Sequence, residues 1–233
     1  MRDPWRHFAA EFIGTFALVF VGGGAIVASK VVPGVGLIEV AVAHGLILAL
    51  MVTALMRISG HFNPAVTAGF MAARRIEPMM AGVYVVAQIL GAVVAAYALR
   101  TLIPAEQFAA AHGTVQEIAP GVTSAQAFGL EAIATFFLVF VVFGTAVDPQ
   151  APKVGGFAIG LTIAADILAI GPLTGGSMNP ARSFGPAFVS GAYLGQIVYW
   201  TGPLLGGVVA GTLYNTLFLG HPREPAEHGA VQR

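Results

Sequence analysis

Two copies of one tripeptide carry the polar chemistry of this chain: Asn63-Pro64-Ala65 and Asn179-Pro180-Ala181. Asn is a favoured helix N-cap, because its side-chain oxygen holds a free backbone N–H, and Pro suits the first helical position, where a missing N–H costs nothing. Each copy therefore reads as the start of a helix that presents an uncharged amide at its N-terminus. Two such amides sharing one space would donate hydrogen bonds to the oxygen of a passing molecule without attracting charge. The remaining polar groups in apolar surroundings are Glu11, Glu131, His44, His61, Asp166 and Arg182. They form no nucleophile–base pattern and have no metal-ligand spacing. The chain has no cysteine, which excludes thiol catalysis, thiolate metal sites and disulfides. We therefore expect no catalytic residue, cofactor or metal. Arg182 directly follows the second tripeptide, and a cation in an apolar stretch is expensive enough to be functional by default.

The elements that must position these groups follow from composition. Of 233 residues, 57% are hydrophobic and 9% charged, against roughly 25% charged in a soluble domain. So few charges cannot cover a water-facing surface, and the chain reads as a polytopic membrane protein. Its zero net charge argues against a nucleic-acid partner. Segments at about 9–29, 37–56, 79–101, 125–147, 155–172 and 194–219 are each long enough to cross a bilayer. Two further apolar stretches, 64–73 and 180–189, begin at the tripeptides and are too short to span. In lipid such a segment must be buried among helices or line a cavity. Gly207 with Gly211, and Gly91 with Ala95, give small-residue faces for close helix packing.

The two halves repeat. EFIGTFALVF from Glu11 matches EAIATFFLVF from Glu131, and VYVVAQILGAVVAA from Val83 matches VYWTGPLLGGVVAG from Val198. Three landmarks keep a near-constant separation: 120 residues from Glu11 to Glu131, 116 from Asn63 to Asn179 and 115 from Val83 to Val198. Three spans per half place the halves in opposite orientations, as an inverted repeat whose shared site lies near the bilayer midplane. The expected fold is an all-α membrane protein of six transmembrane helices plus two half-helices, forming a single channel domain over 1–233 with repeats at about 9–101 and 125–219. With both termini inside, Arg2, Arg6, Arg74, Arg75, Lys153, Arg223 and Arg233 are cytoplasmic and only Lys30 and Arg100 lie outside, as the positive-inside rule asks. The amino terminus lacks a signal-cleavage pattern and reads as a short basic arm anchored by Trp5. A prokaryotic plasma membrane is the expected location.

Inverted halves bring two short helices in from opposite faces, so that their N-termini meet. Each carries roughly half a positive charge, and two of them facing one pore repel cations, hydronium included. The tripeptides, the repeat and the contexts ISGHFNPAVT and GGSMNPARSFGPA together resemble the aquaporins of the major intrinsic protein family, from Glu11 to about Leu219. The resemblance implies a homotetramer with one pore per subunit. Ser183, Ala187 and Tyr199-Trp200 match the pattern of its water channels rather than its glycerol facilitators. It further implies a filter of His44, Ile167, Gly176 and Arg182, a quartet similar to that of plant tonoplast-type aquaporins, which are associated with ammonia as well as water. The segment ILAIGPLTGGSMNPARSFGPAFVSG resembles those channels too. Ile167 and Gly176 make such an opening wide and apolar on one side, while Arg182 and His44 supply donors.

The resemblance also places His61 at the inner pore mouth. Glu11 and Glu131, read alone, could form a proton relay; the resemblance implies that each instead anchors the loop before a short helix. Asp166 adjoins Ile167 but points about 100° away from it on a helix, where outer headgroups could hydrate it. His112, in the long outer loop, is a solvated residue or a further filter group. The implied function is passive conduction of water and small neutral solutes, ammonia first and hydrogen peroxide next, through a lipid bilayer. A strict water channel, a proton-coupled secondary transporter and a non-conducting scaffold are the competing readings. A transporter needs an essential titrating carboxylate, and the short helices begin on neutral Asn.

Overall fold

A computed structural model of the chain describes residues 3–152 and 154–219. Among the inner-face cations counted above, Arg2, Lys153, Arg223 and Arg233 lie outside the described residues. The described chain is helical: α1 (Pro4–Val31), α2 (Leu37–Leu55), α3 (Pro64–Ala72), α4 (Pro78–Leu102), α5 (Ala105–Ala110), α6 (Ser124–Val142), α7 (Gly155–Thr174), α8 (Pro180–Ser190) and α9 (Gln196–Leu217). Six of these, α1, α2, α4, α6 (continued by a π-turn to Val147), α7 and α9, are long and apolar enough to cross a membrane. The chain is a multi-pass membrane protein.

Local chemistry sets the helix starts. Asp3 accepts the Trp5 N–H at 3.0 Å and begins α1 five residues earlier than hydropathy alone predicts. Thr123 and Gln126 bond each other's backbone N–H groups in a capping box at the head of α6. α3, α4 and α8 all open on proline.

The long helices pair α1 with α4, α6 with α9 and α2 with α7. The short helices cross between halves, α3 lying on α9 and α8 on α4, so that neither half closes without the other. Glycine makes these crossings possible. A Cβ on Gly69 of α3 would lie 2.6 Å from the Gly207 carbonyl oxygen, and one on Gly185 of α8 would lie 2.6 Å from the Ala92 backbone. Gly207 therefore has the packing role its spacing suggested. Gly91 has one as well, with its absent Cβ 2.5 Å from the Phe12 carbonyl oxygen. Large apolar side chains outside the bundle, such as Leu50, Phe137 and Leu161, are exposed in the single chain, as a lipid-facing surface requires.

α1 and α9 have their outer termini on one face of the bundle, here the terminal face; α5, the 3₁₀ turn His112–Thr114 and the α4–α6 connection lie on the far face. That connection has no counterpart in the repeat, and its helical turns are absent from the sequence pattern.

Candidate functional site

α3 and α8 run in from opposite faces and meet at Asn63 and Asn179. Each asparagine uses its side chain in two directions. Asn63 Oδ1 accepts the Ala65 N–H at 2.8 Å and its Nδ2 donates to the Met178 carbonyl at 2.7 Å. Asn179 Oδ1 accepts from Ala181 N at 3.1 Å and Arg182 N at 3.2 Å, and its Nδ2 donates to the Phe62 carbonyl at 2.8 Å. The amides thus cap their own helices and tie the two halves together. A primary amide has two N–H groups, so one on each asparagine is left for the space between the helices.

The residues that receive these bonds are strained. Phe62 and Met178 have φ of 49° and 53°, a left-handed conformation costing of order 1–3 kcal/mol at a bulky residue. Two carboxylates hold them there. Glu11 accepts from Phe62 N at 2.7 Å, His61 N at 2.9 Å, Gln88 Nε2 at 2.6 Å and the Ser59 hydroxyl. Glu131 accepts from Met178 N at 2.6 Å, Ser177 N at 2.9 Å and Thr174 Oγ1 at 2.7 Å. Both carboxylates are fully buried. Ser59, Gln88 and Thr174 were not singled out from sequence. Gln88 could have been, as a lone amide inside an apolar span.

His44, His61, Asn63, Ile167, Gly176, Asn179 and Arg182 line one narrow cavity, together with apolar side chains such as Leu18, Val66, Leu138 and Ile163. Its free volume of about 10 Å3 is the scale of a single water. Arg182 donates through Nη1 to the Gly176 carbonyl at 3.0 Å, and its Nη2 lies 2.9 Å from His44 Nε2. His44 Nδ1 lies 2.8 Å from the Val40 carbonyl. A carbonyl only accepts, so Nδ1 carries the proton, and Nε2 must accept from the guanidinium. Both ring nitrogens are therefore engaged. His44 offers no free donor to the cavity, contrary to the expectation from sequence; it instead holds Arg182. Ile167 backs the glycine, with its Cγ1 3.2 Å from where a Gly176 Cβ would stand.

Towards the terminal face, the His61 ring packs on Phe70 and Tyr84, with Nδ1 3.1 Å from Thr67 Oγ1. Towards the far face, Ile167 and Arg182 also border a vestibule of about 530 Å3, together with Lys30, His112 and Gln116. His112 pairs with Glu117 at 3.1 Å in the exposed rim and makes no bond to Arg182. Asp166 is 9% exposed and its Oδ2 has no hydrogen-bond partner among the described residues. Burial within the helix bundle replaces the hydrated position expected for it.

The profile of the major intrinsic protein family matches residues 1–214. The chain is 43% identical to Aquaporin TIP4-4 of Zea mays, over 95% of this chain and 91% of that one. It is 40% identical to Aquaporin TIP2-1 of Arabidopsis thaliana, over 92% of this chain and 88% of that one. Among solved structures, the aquaglyceroporin from Plasmodium falciparum superimposes with a TM-score of 0.81 at 26% identity, covering 92% of this chain and 97% of that one.

Proposed function

The chain belongs to the major intrinsic protein family, and from that premise we propose that it is a passive channel conducting water and small neutral solutes while excluding protons and ions. The observation that carries this reading is the pair of half-engaged amides, Asn63 and Asn179, at the meeting point of two helix N-termini in a cavity with room for about one water. A solute oxygen there finds two donors and two positive dipole ends. The donors orient a water so that it cannot pass a proton along a continuous wire, and the dipole ends repel cations.

Solute choice falls to His44, Ile167, Gly176 and Arg182. Ile167 leaves one side of the opening apolar, and Gly176 contributes only a carbonyl, itself bonded to Arg182. That balance admits ammonia and hydrogen peroxide as well as water. Glu11 and Glu131 serve as loop anchors, since backbone N–H groups fill their oxygens and neither lines the cavity. This disfavours the proton-coupled transporter, which needs a titrating carboxylate on the path. His61 stands at the terminal-face mouth.

The whole chain acts as one channel domain, assembled as a homotetramer in the bilayer. Both termini are cytoplasmic, supported by Arg6, Arg74 and Arg75 on the terminal face. A plasma-membrane location predicts co-fractionation with a plasma-membrane marker.

The test is stopped-flow of reconstituted vesicles, first with an osmotic step and then with an ammonium gradient and an internal pH dye. We expect both signals to exceed those of empty vesicles. Absence of both removes the channel reading, and a water signal without an ammonia signal leaves a strict water channel.

A further inference from the structure

Behind the Arg182 guanidinium, on the side away from His61, a second small cavity lies between α1, α8 and the α4–α6 connection. It is bordered by Gly23, His44, Thr114, Gln116, Arg182 and Pro186, with a volume of about 10 Å3. Among the described residues, two of its polar atoms have no hydrogen-bond partner. Thr114 is 1% exposed and its Oγ1 makes no hydrogen bond; Gln116 is 3% exposed and its Oε1 makes none. The local backbone is held so as to place them. His112, Gly113 and Thr114 have successive φ values of 48°, 63° and 61°, a left-handed run that turns Thr114 inward until its hydroxyl lies 3.4 Å from where a Gly23 Cβ would stand. Such a run is costly for non-glycine residues, and a buried oxygen left without a partner is a further cost.

We propose that one ordered water occupies this cavity, bridging Thr114 Oγ1, Gln116 Oε1 and the Arg182 guanidinium, and that Thr114 and Gln116 are positioning residues for the filter arginine. The chemistry selects water. The two orphaned oxygens call for a molecule with two donors, and a guanidinium N–H calls for an acceptor. Both His44 nitrogens are already engaged, so they do not compete. Arg182 uses Nη1 on Gly176 and Nη2 on His44, which leaves three of its five N–H groups. A cation is repelled by the guanidinium. Buried waters typically make about three hydrogen bonds in a space of this size. The bridge ties Arg182 to the far-face connection, so that a segment outside the repeat sets how far the guanidinium reaches into the pore. The functional part of this inference rests on the channel reading above.

The experiment combines a structure of the full chain, at a resolution that shows pore waters, with water permeability per channel in vesicles. Wild type should show a density peak within hydrogen-bond distance of Thr114 Oγ1 and Gln116 Oε1. T114V and Q116L should each lower water permeability about fivefold, the factor one hydrogen bond carries, and T114S should restore it. In an R182V background neither substitution should have a further effect, because both act through Arg182. Pore waters without a peak at this position would overturn the bridge, and losses additive with R182V would overturn the positioning role. Wild-type vesicles without water conductance would remove the channel reading instead, and the density alone would then decide the bridge. The wild-type map needs no variant, so poor folding of T114V leaves the test intact.

Discussion

At the scale of single residues, each Asn-Pro-Ala amide works twice, capping its own helix and bonding a backbone carbonyl of the opposite half. The cap chemistry of Asn-Pro-Ala was legible because it is local: an acceptor, then a residue without an N–H. That the second function of each amide is a bond to the opposite half was not legible, since Met178 lies 115 residues from Asn63. His44 was legible as a polar group in an apolar span, yet its tautomer depends on Val40 and Arg182 together. H44F removes the acceptor that holds Arg182 and places a larger ring against α1, where a Gly22 Cβ would already strike the His44 ring. We expect ammonia permeability to fall more than water permeability, read with the internal pH dye and the osmotic step on the same vesicles. Equal losses would show that His44 does not set solute choice. The charge barrier makes a separate prediction. N63D and N179D put a carboxylate where two helix N-termini meet, cancelling part of their positive potential, and should raise cation conductance in planar bilayers above the wild-type level. Unchanged conductance would place the ion barrier elsewhere in the pore.

At the scale of elements, the two short helices were readable because each was too short to span and began on the same tripeptide. Their supports differ, and the difference can be measured. Glu11 accepts four hydrogen bonds and Glu131 three among the described residues, the extra donor being Gln88. The position of α9 that pairs with Gln88 through the repeat is Pro203, which has no side-chain donor. Removing one member of a buried charged network costs about 3–5 kcal/mol, so E11A and E131A should both unfold early, E11A first. Thermal unfolding in detergent gives the order, and the reverse order would mean that the Gln88 bond contributes nothing. The small-residue crossings give an independent test. A side chain at Gly207 would strike the Ala65 carbonyl at the start of α3. Overpacking of this kind costs about 1–3 kcal/mol. G207V should therefore displace α3 and abolish osmotic conductance while leaving expression measurable. By contrast, G82V, at a position with open space around its Cβ, should conduct normally. The far-face connection with Thr114 and Gln116 stayed hidden from sequence because it belongs to neither repeat and its left-handed turn involves only one glycine.

At the scale of the whole molecule, the question is which path the solute takes. The proposed homotetramer offers two: the interior of each subunit, or the axis between subunits. The repeat predicts the first, since symmetry within one chain puts the site inside that chain. The structure supplies residues that separate the two paths. Ile163 is 4% exposed and lines the cavity shared by Asn63 and Asn179, whereas Leu161, two residues along α7, is 54% exposed on the outside of the bundle. The chain has no cysteine, so a thiol-directed mercurial has no native target and should leave wild-type water permeability unchanged. That gives a silent background in which a single introduced thiol reports its own position. I163C should become sensitive to mercury, with permeability restored by a reducing thiol, because a mercury atom on that wall takes up space in a cavity with room for about one water. L161C should stay insensitive, because its thiol faces lipid or a neighbouring subunit. Both changes sit in the same helix and exchange one aliphatic side chain for a smaller one, so a general loss of folding would affect them alike. Inhibition of L161C with sparing of I163C would move conduction to the outside of the subunit, and would overturn the assignment of the Asn63–Asn179 cavity as the pore.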